Sequence, residues 1–291
     1  MPTPVNEPIL QYGANSAERS KLKQALSDLR NQQIDVHMRI AGRSVKGAKK
    51  VAMTCPHDHQ HVLGHYYEGG KAEVAQAIDA ALEARSAWSS MPWEDRAAIF
   101  LKAADLSATK YRMQLNARTM LGQSKNAYQA EIDAACEWID FLRFNVHYAQ
   151  QIYSEQPISS PGVWNRLEYR PLEGFVYALT PFNFTAIAGN LPAAPALMGN
   201  TVVWKPSPTQ VYSAGLLMEI LEEAGLPAGV INLVFADGPE AGEVVFSHRD
   251  FAGVHFTGST AVFQTIWKNI GNNISTYKLY PRIVGETGGK D

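Results

Sequence analysis

The chain reads as an α/β protein. Its core is a doubly wound, Rossmann-like parallel sheet, preceded by a helical region and a projecting β-hairpin arm. Three observations predict this. From residue 174 onward, short apolar runs alternate strictly with amphipathic helical patterns, as parallel strands with crossover helices require. The joins are short and carry Gly or Pro, so successive elements pack as neighbours with right-handed crossovers. Before residue 155 the apolar residues recur mainly at helical spacing, and the chain changes character there.

Residues 1–155 are expected to be mainly helical. Over 71–88, Val74, Ala77, Ile78, Ala81, Arg85 and Trp88 share one helix face. A second helix is expected over 93–111, just after Pro92. A third spans 130–149 with Ile132, Ala135, Cys136, Ile139, Leu142 and Val146 inward. The arm, 156–173, contains Pro157, Pro161 and Gly162 before the extended run 163–170, which reads as an exposed strand or hairpin. Within 174–291, strands are expected at 174–180, 201–205, 229–235, 251–256 and 279–284. Helices are expected between them at 187–198, 209–224, 239–247 and 261–270.

Bulk properties narrow the function. Of 291 residues, 46% are hydrophobic and 19% charged, a soluble globular composition. With 26 basic and 28 acidic residues the formal charge is -2, which gives no support to a nucleic-acid or anionic-membrane partner. The two cysteines, Cys55 and Cys136, form no CxxC, so a reducing compartment is expected. No apolar run approaches the roughly 20 residues that span a bilayer. Residues 1–10 lack the marks of a secretory or transit peptide. A cytoplasmic location is expected, or the mitochondrial matrix for a eukaryotic source.

In open α/β sheets ligands bind beyond the carboxyl ends of the strands. After the first expected strand come Thr180-Pro181-Phe182-Asn183-Phe184. The Asn amide could stabilise an oxyanion; its commoner use is a turn. Lys205-Pro206-Ser207-Pro208 follow the second. That Lys suits ribose hydroxyls or a phosphate, against the plain alternative of a surface Lys. Phe256-Thr257-Gly258-Ser259-Thr260 lead from the fourth strand into a helix, where small residues and the helix N-terminus suit a pyrophosphate; an ordinary N-cap would look the same. Glu286 follows the fifth, within Gly285-Glu286-Thr287-Gly288-Gly289-Lys290, a place for an acid/base where backbone passes close to a ligand. No GxGxxG is present; residues 237–242 hold only a loose turn with Gly238 and Gly242. Cys55, His57, Asp58, His59, His61 and His65 resemble a metal box by composition, but a polar edge strand and turn is the favoured reading.

Taken in order, these segments and Gly225-Leu226-Pro227-Ala228-Gly229-Val230-Ile231-Asn232 resemble the aldehyde dehydrogenase superfamily. Asn6-Glu7-Pro8, the 129–135 segment, Phe141-Leu142-Arg143-Phe144-Asn145 and 183–187 look like its 1-pyrroline-5-carboxylate dehydrogenase branch. That branch oxidises L-glutamate γ-semialdehyde to glutamate in proline catabolism. The resemblance covers the whole chain but only about the first half of a typical family member. It implies a cysteine thiolate that attacks the aldehyde, hydride transfer to NAD, and hydrolysis of the thioester.

Carried over residue by residue, Asn183 holds the oxyanion and Glu286 is the general base. Lys205 binds the adenosine ribose and Ser259 the pyrophosphate. Thr180, Pro181, Phe182, Ser207, Gly238, Phe256, Thr257, Gly258 and Gly288 line the cofactor groove. Glu131 and Phe184 match positions near the aldehyde pocket; the local alternative for Glu131 is first-turn dipole compensation. Many members carry an acid three residues after the Lys, where Pro208 stands here, so the choice of NAD follows from the branch resemblance. The family's nucleophile lies beyond Gly288-Gly289-Lys290. The chain is therefore expected to hold the cofactor-binding portion, to be inactive alone, to expose an apolar face and to belong to a homo-oligomer. A non-catalytic dinucleotide-binding or interaction module, and another aldehyde dehydrogenase branch, are the alternatives.

Overall fold

The structure, a computed structural model, describes residues 2–288. Helix α1 (Ala17–Arg30) is capped by Ser16, whose hydroxyl accepts the Arg19 N–H. Then come β1 (Met38–Ile40), β2 (Arg43–Val45), β3 (Lys49–Cys55) and β4 (Asp58–Glu68). Helices α2 (Lys71–Ser90), α3 (Trp93–Ala108), α4 (Arg112–Gln123) and α5 (Ala127–Ala130) follow. The last runs through a π-helical segment, Glu131–Cys136, into α6 (Glu137–Ser154). The rest alternates as β5 (Phe175–Thr180), α7 (Thr185–Leu197), β6 (Thr201–Pro206), α8 (Val211–Ala224), β7 (Ile231–Leu233), α9 (Gly238–Ser247), β8 (Phe251–Gly258), α10 (Thr260–Asn272) and β9 (Arg282–Thr287).

Among the described residues the main sheet runs β2-β1-β7-β6-β5-β8-β9. Strands β7, β6, β5, β8 and β9 are parallel, while β1 and β2 are antiparallel additions. Numbering the parallel strands in chain order gives 3-2-1-4-5, so the order reverses between β5 and β8. That is the crevice where doubly wound sheets bind ligands. Helices α7 and α8 cover one face; α2, α9 and α10 lie along the other. Every residue of β6 is buried, as a strand covered on both faces must be.

Two expectations change. The first 155 residues, expected to be mainly helical, also hold four strands, within residues 38–68. Val36, Met38 and Ile40 are buried alternately, and this period-2 signal marks a strand. The segment 55–65, read as a polar edge strand and turn in preference to a metal box, lies in the β3–β4 hairpin, with register irregularities near Thr54. Among the described residues no cluster of three His, Cys, Asp or Glu could hold a metal.

The arm also differs: it holds no strand. The chain doubles back there through side chains instead. Gln156 Oε1 accepts the Leu167 N–H (2.8 Å), Ser159 Oγ accepts the Asn165 N–H (3.0 Å), and Tyr169 donates to the Glu155 carbonyl (2.9 Å). Pro157 and Pro161 supply no N–H for a ladder. Ile158, Val163, Trp164 and Leu167 are exposed, Ile158 and Trp164 strongly so, while Leu172 packs against the core. A second exposed apolar margin runs along α10 and β9, through Trp267, Ile274, Tyr280 and Val284. No helix among the described residues is long and apolar enough to cross a membrane.

Candidate cofactor groove and active site

The expected cofactor residues come together at the carboxyl edge of the sheet, around the reversal of strand order. Thr180 ends β5, buried, its hydroxyl accepting the Trp204 indole N–H (3.1 Å) and its carbonyl the Ser207 N–H (3.2 Å). It therefore ties β5 to the loop after β6. Pro181 is buried, Phe182 is exposed, and Asn183 is half-buried. The Asn183 amide makes no hydrogen bond among the described residues. Ser207 is half-buried, its hydroxyl 3.5 Å from that of Thr209.

Lys205 stands in register with Leu179, so both side chains project from the same sheet face. Its side chain is 5% exposed, and its ammonium finds no hydrogen-bond partner among the described residues. Burial lowers its pKa, opposed by the Asp237 and Glu68 carboxylates. The lysine stem is buried while the ammonium at the strand end keeps solvent access and has no protein partner, so it is free to donate to a polar ligand.

On the same face, α9 and α10 enclose a cavity of about 690 Å³, lined by Leu179, Pro239, Gly242, Phe246, Val262 and Ile266. An apolar slot of that size suits an aromatic base. Gly238 opens α9, which Asp237 caps by accepting the Glu240 N–H (3.3 Å). Phe256 is buried and stacks on Phe263, ring centroids 5.6 Å apart. A Cβ on Gly258 would lie 2.7 Å from the Phe256 ring, so a side chain there would have to displace that ring. Ser259 caps α10 by accepting the Val262 N–H (3.3 Å). The first turn of α10 thus presents backbone N–H groups beside a hydroxyl, a site for a pyrophosphate. Together these groups fit a dinucleotide.

Glu286 lies within β9 rather than after it. Strand alternation sends Gly285 towards Phe263 of α10 and Glu286 to the opposite face. There its carboxylate accepts the Thr257 hydroxyl (3.2 Å) and remains exposed. Gly288 takes φ +120°; Gly289 and Lys290 lie outside the described residues.

A second groove, about 760 Å³, is lined by Ile132, Asp133, Glu137, Phe141, Phe144 and Phe184. The Lys125 ammonium lies 3.9 Å from the Phe184 ring centroid and 2.6 Å from Asp133. Glu131, expected near the aldehyde, is fully buried. Its carboxylate accepts hydrogen bonds from Leu10 N–H (2.9 Å), Tyr12 (2.6 Å), Asn116 (2.6 Å) and the Arg112 guanidinium. Burial opposes its ionisation, but Arg112 and Tyr12 prevail and hold its pKa below the usual carboxylate value. It anchors residues 7–12 and has no capacity left for substrate.

Glu137 was missed. Burial first, then the charges of Asp133 and Glu286, against the attraction of Lys125, push its pKa up to about 7. Its signal was present: it is an acid on the helix that also presents Phe141. Cys136, in the same groove, is buried beside Glu131 and pushed up to about 12, so it is a protonated, inert thiol at neutral pH.

The aldehyde dehydrogenase family profile matches residues 44–291. The chain belongs to the aldehyde dehydrogenase family. Among relatives, a probable delta-1-pyrroline-5-carboxylate dehydrogenase of Schizosaccharomyces pombe is 52% identical over 295 residues, covering 100% of this chain and 54% of the relative. The mitochondrial delta-1-pyrroline-5-carboxylate dehydrogenase of Mus musculus is 46% identical, over 98% of this chain and 51% of its own length. The NAD-bound crystal structure of the Mycobacterium tuberculosis delta-pyrroline-5-carboxylate dehydrogenase superposes with TM-score 0.98 at 54% identity, covering 100% of this chain and 55% of that one. The chain thus spans about half the length of these relatives in the aldehyde dehydrogenase family.

Proposed function

We propose that this chain is the cofactor-binding portion of an NAD-dependent dehydrogenase that oxidises L-glutamate γ-semialdehyde, the open form of 1-pyrroline-5-carboxylate, to glutamate. Identity above 50% along the whole chain to dehydrogenases of that name carries this reading. The buried, unpartnered Lys205 beside an apolar slot supports it. NAD, when bound, supplies the hydride acceptor. Lys205 and Ser207 hold the ribose, the first turn of α10 with Ser259 holds the pyrophosphate, and the slot between α9 and α10 shields the base from water. Thr180 to Phe182, Phe256 to Gly258, Gly238 and Gly288 shape the walls between them.

Adenosine and chemistry then sit on opposite sides of the sheet edge. The Asn183 amide donates to the oxygen of the aldehyde as negative charge develops there. Glu286 accepts the proton of an attacking water. Phe184 and Glu137 border the aldehyde. Neither cysteine is available as a nucleophile: Cys136 is held protonated, and Cys55 is buried in the β3–β4 hairpin.

Titration of the purified 291-residue chain with NAD, followed by calorimetry, tests the cofactor assignment; saturable binding is expected. Incubation with 1-pyrroline-5-carboxylate and NAD should give no NADH. Absence of NAD binding would overturn the cofactor assignment, and NADH formation would overturn the assignment of the chain as inactive alone.

A further inference from the structure

We infer that the preference for NAD over NADP is set by two carboxylates outside the Lys-Pro-Ser segment: Glu68 at the end of β4 and Asp237 at the start of α9. Both act on the Lys205 ammonium from the β7 side of the sheet and repel a 2′-phosphate. This rests on the dinucleotide reading of the groove.

The geometry begins with what position 208 lacks. Pro208 has no group to hold a ribose hydroxyl, and Lys205 alone would welcome a phosphate as readily as a hydroxyl. The structure brings acids from elsewhere. The Gly69 N–H donates to the Phe235 carbonyl (2.8 Å), and Gly69 bridges Ala236. Glu68 therefore lies along the far side of the carboxyl end of β7, and Asp237 just past that end. The Val234 N–H donates to the Trp204 carbonyl (2.9 Å), so β7 in turn flanks the end of β6 that carries Lys205. Asp237 thus lies just past the end of the strand next to β6, and Glu68 one further strand spacing, ~5 Å, beyond that strand, and the charges of both reach the Lys205 ammonium.

The same corner is closed by α9. A Cβ on Gly70 would lie 3.2 Å from Glu240 Oε1, so the 68–70 turn abuts the first turn of that helix. The nearby ammonium groups are already engaged: Lys49 pairs with Glu68 (2.8 Å) and Lys71 with Glu243. Lys205 remains the one ammonium of the three without a carboxylate partner, and Glu68 and Asp237 lower the potential around it. A ribose 2′-hydroxyl can donate to a carboxylate here. A 2′-phosphate brings further negative charge against Glu68, Asp237 and Glu240, and like charges at such range exclude the wrong ligand.

Calorimetric titration of the chain with NAD and with NADP tests this. Wild type is expected to bind NAD at least about tenfold more tightly than NADP, and Glu68→Gln with Asp237→Asn to reduce that ratio about tenfold, chiefly through tighter NADP binding. Asn preserves the helix cap. Should Glu68→Gln fail to fold, Lys49→Met probes the same field in reverse: it frees the Glu68 charge and should widen the NAD preference. A ratio unchanged in every folded variant, or a wild type indifferent to the 2′-phosphate, overturns the inference while leaving NAD binding intact. Failure of wild type to bind NAD at all overturns the dinucleotide reading, and this inference with it.

Discussion

Glu131 and Glu137 stand six residues apart on one continuous helical stretch, yet they sit in opposite environments. Glu131 is fully buried and saturated by Arg112, Tyr12, Asn116 and the Leu10 N–H. Glu137 opens on a groove beside other acids and holds its proton to about pH 7. The π-helical segment Glu131–Cys136 separates them and alters the angular offset of a regular α-helix. Glu131 therefore meets α4, while Glu137 faces Phe184. Burial itself does not decide whether a carboxylate is structural or reactive; the supply of donors around it does.

The largest effect is expected from breaking the saturated side. Glu131→Ala would leave the buried Arg112 guanidinium short of a counter-charge, together with unpaired Tyr12 and Asn116 groups, at a cost of about 3–5 kcal/mol. Urea denaturation measures it; a loss below about 1 kcal/mol would show that the cluster does not anchor the N-terminal segment.

Lys205 sharpens the contrast, because it too is buried without a hydrogen-bond partner. Lys205→Met should weaken NAD binding at least about tenfold, while thermal stability holds or rises, since burial of the lysine outweighs the attraction of Asp237 and Glu68 and that cost is removed. A large fall in Tm would instead make Lys205 a structural residue.

Glu137 gives a smaller, pH-dependent effect. Its folded pKa, about 7, lies above the reference value of 4.5, so the folded state binds the extra proton between these limits. Its stabilising contribution is complete below about 4.5 and is lost as pH rises through about 7. Glu137→Gln should flatten that part of the Tm–pH curve. Identical curves for variant and wild type would remove Glu137 from the groove's titration.

The smallest effect belongs to Glu286. It is exposed and bonded only to Thr257 among the described residues, so Glu286→Gln should change stability by less than about 0.5 kcal/mol. A larger loss would mean that the carboxylate supports the fold of β9.

Residues 174–288 were legible as alternating elements because each strand is a short apolar run bounded by turn residues, and each helix shows its own stripe. Observed boundaries such as Phe175–Thr180, Gly238–Ser247 and Thr260–Asn272 lie within a few residues of those expected. Strands β1 and β2 were harder, since each spans only three residues and their pairing partners lie far along the chain or across a tight turn. The arm misled for a different reason: its composition suits extended chain, but two prolines deny it a ladder.

By itself, then, the sequence determined the parallel sheet, its crossover helices and most of the residues at the carboxyl ends of the strands, Glu286 within β9 being the exception. Local patterning encodes these, and the resemblance to the aldehyde dehydrogenase family followed from motifs at those ends. Tertiary structure alone decided which of two glutamates is neutralised, that Lys205 is buried rather than exposed, and that the charges of Glu68 and Asp237 reach it. Each depends on groups brought together from distant parts of the chain. Solvation and charge pairing in three dimensions have no counterpart in local sequence.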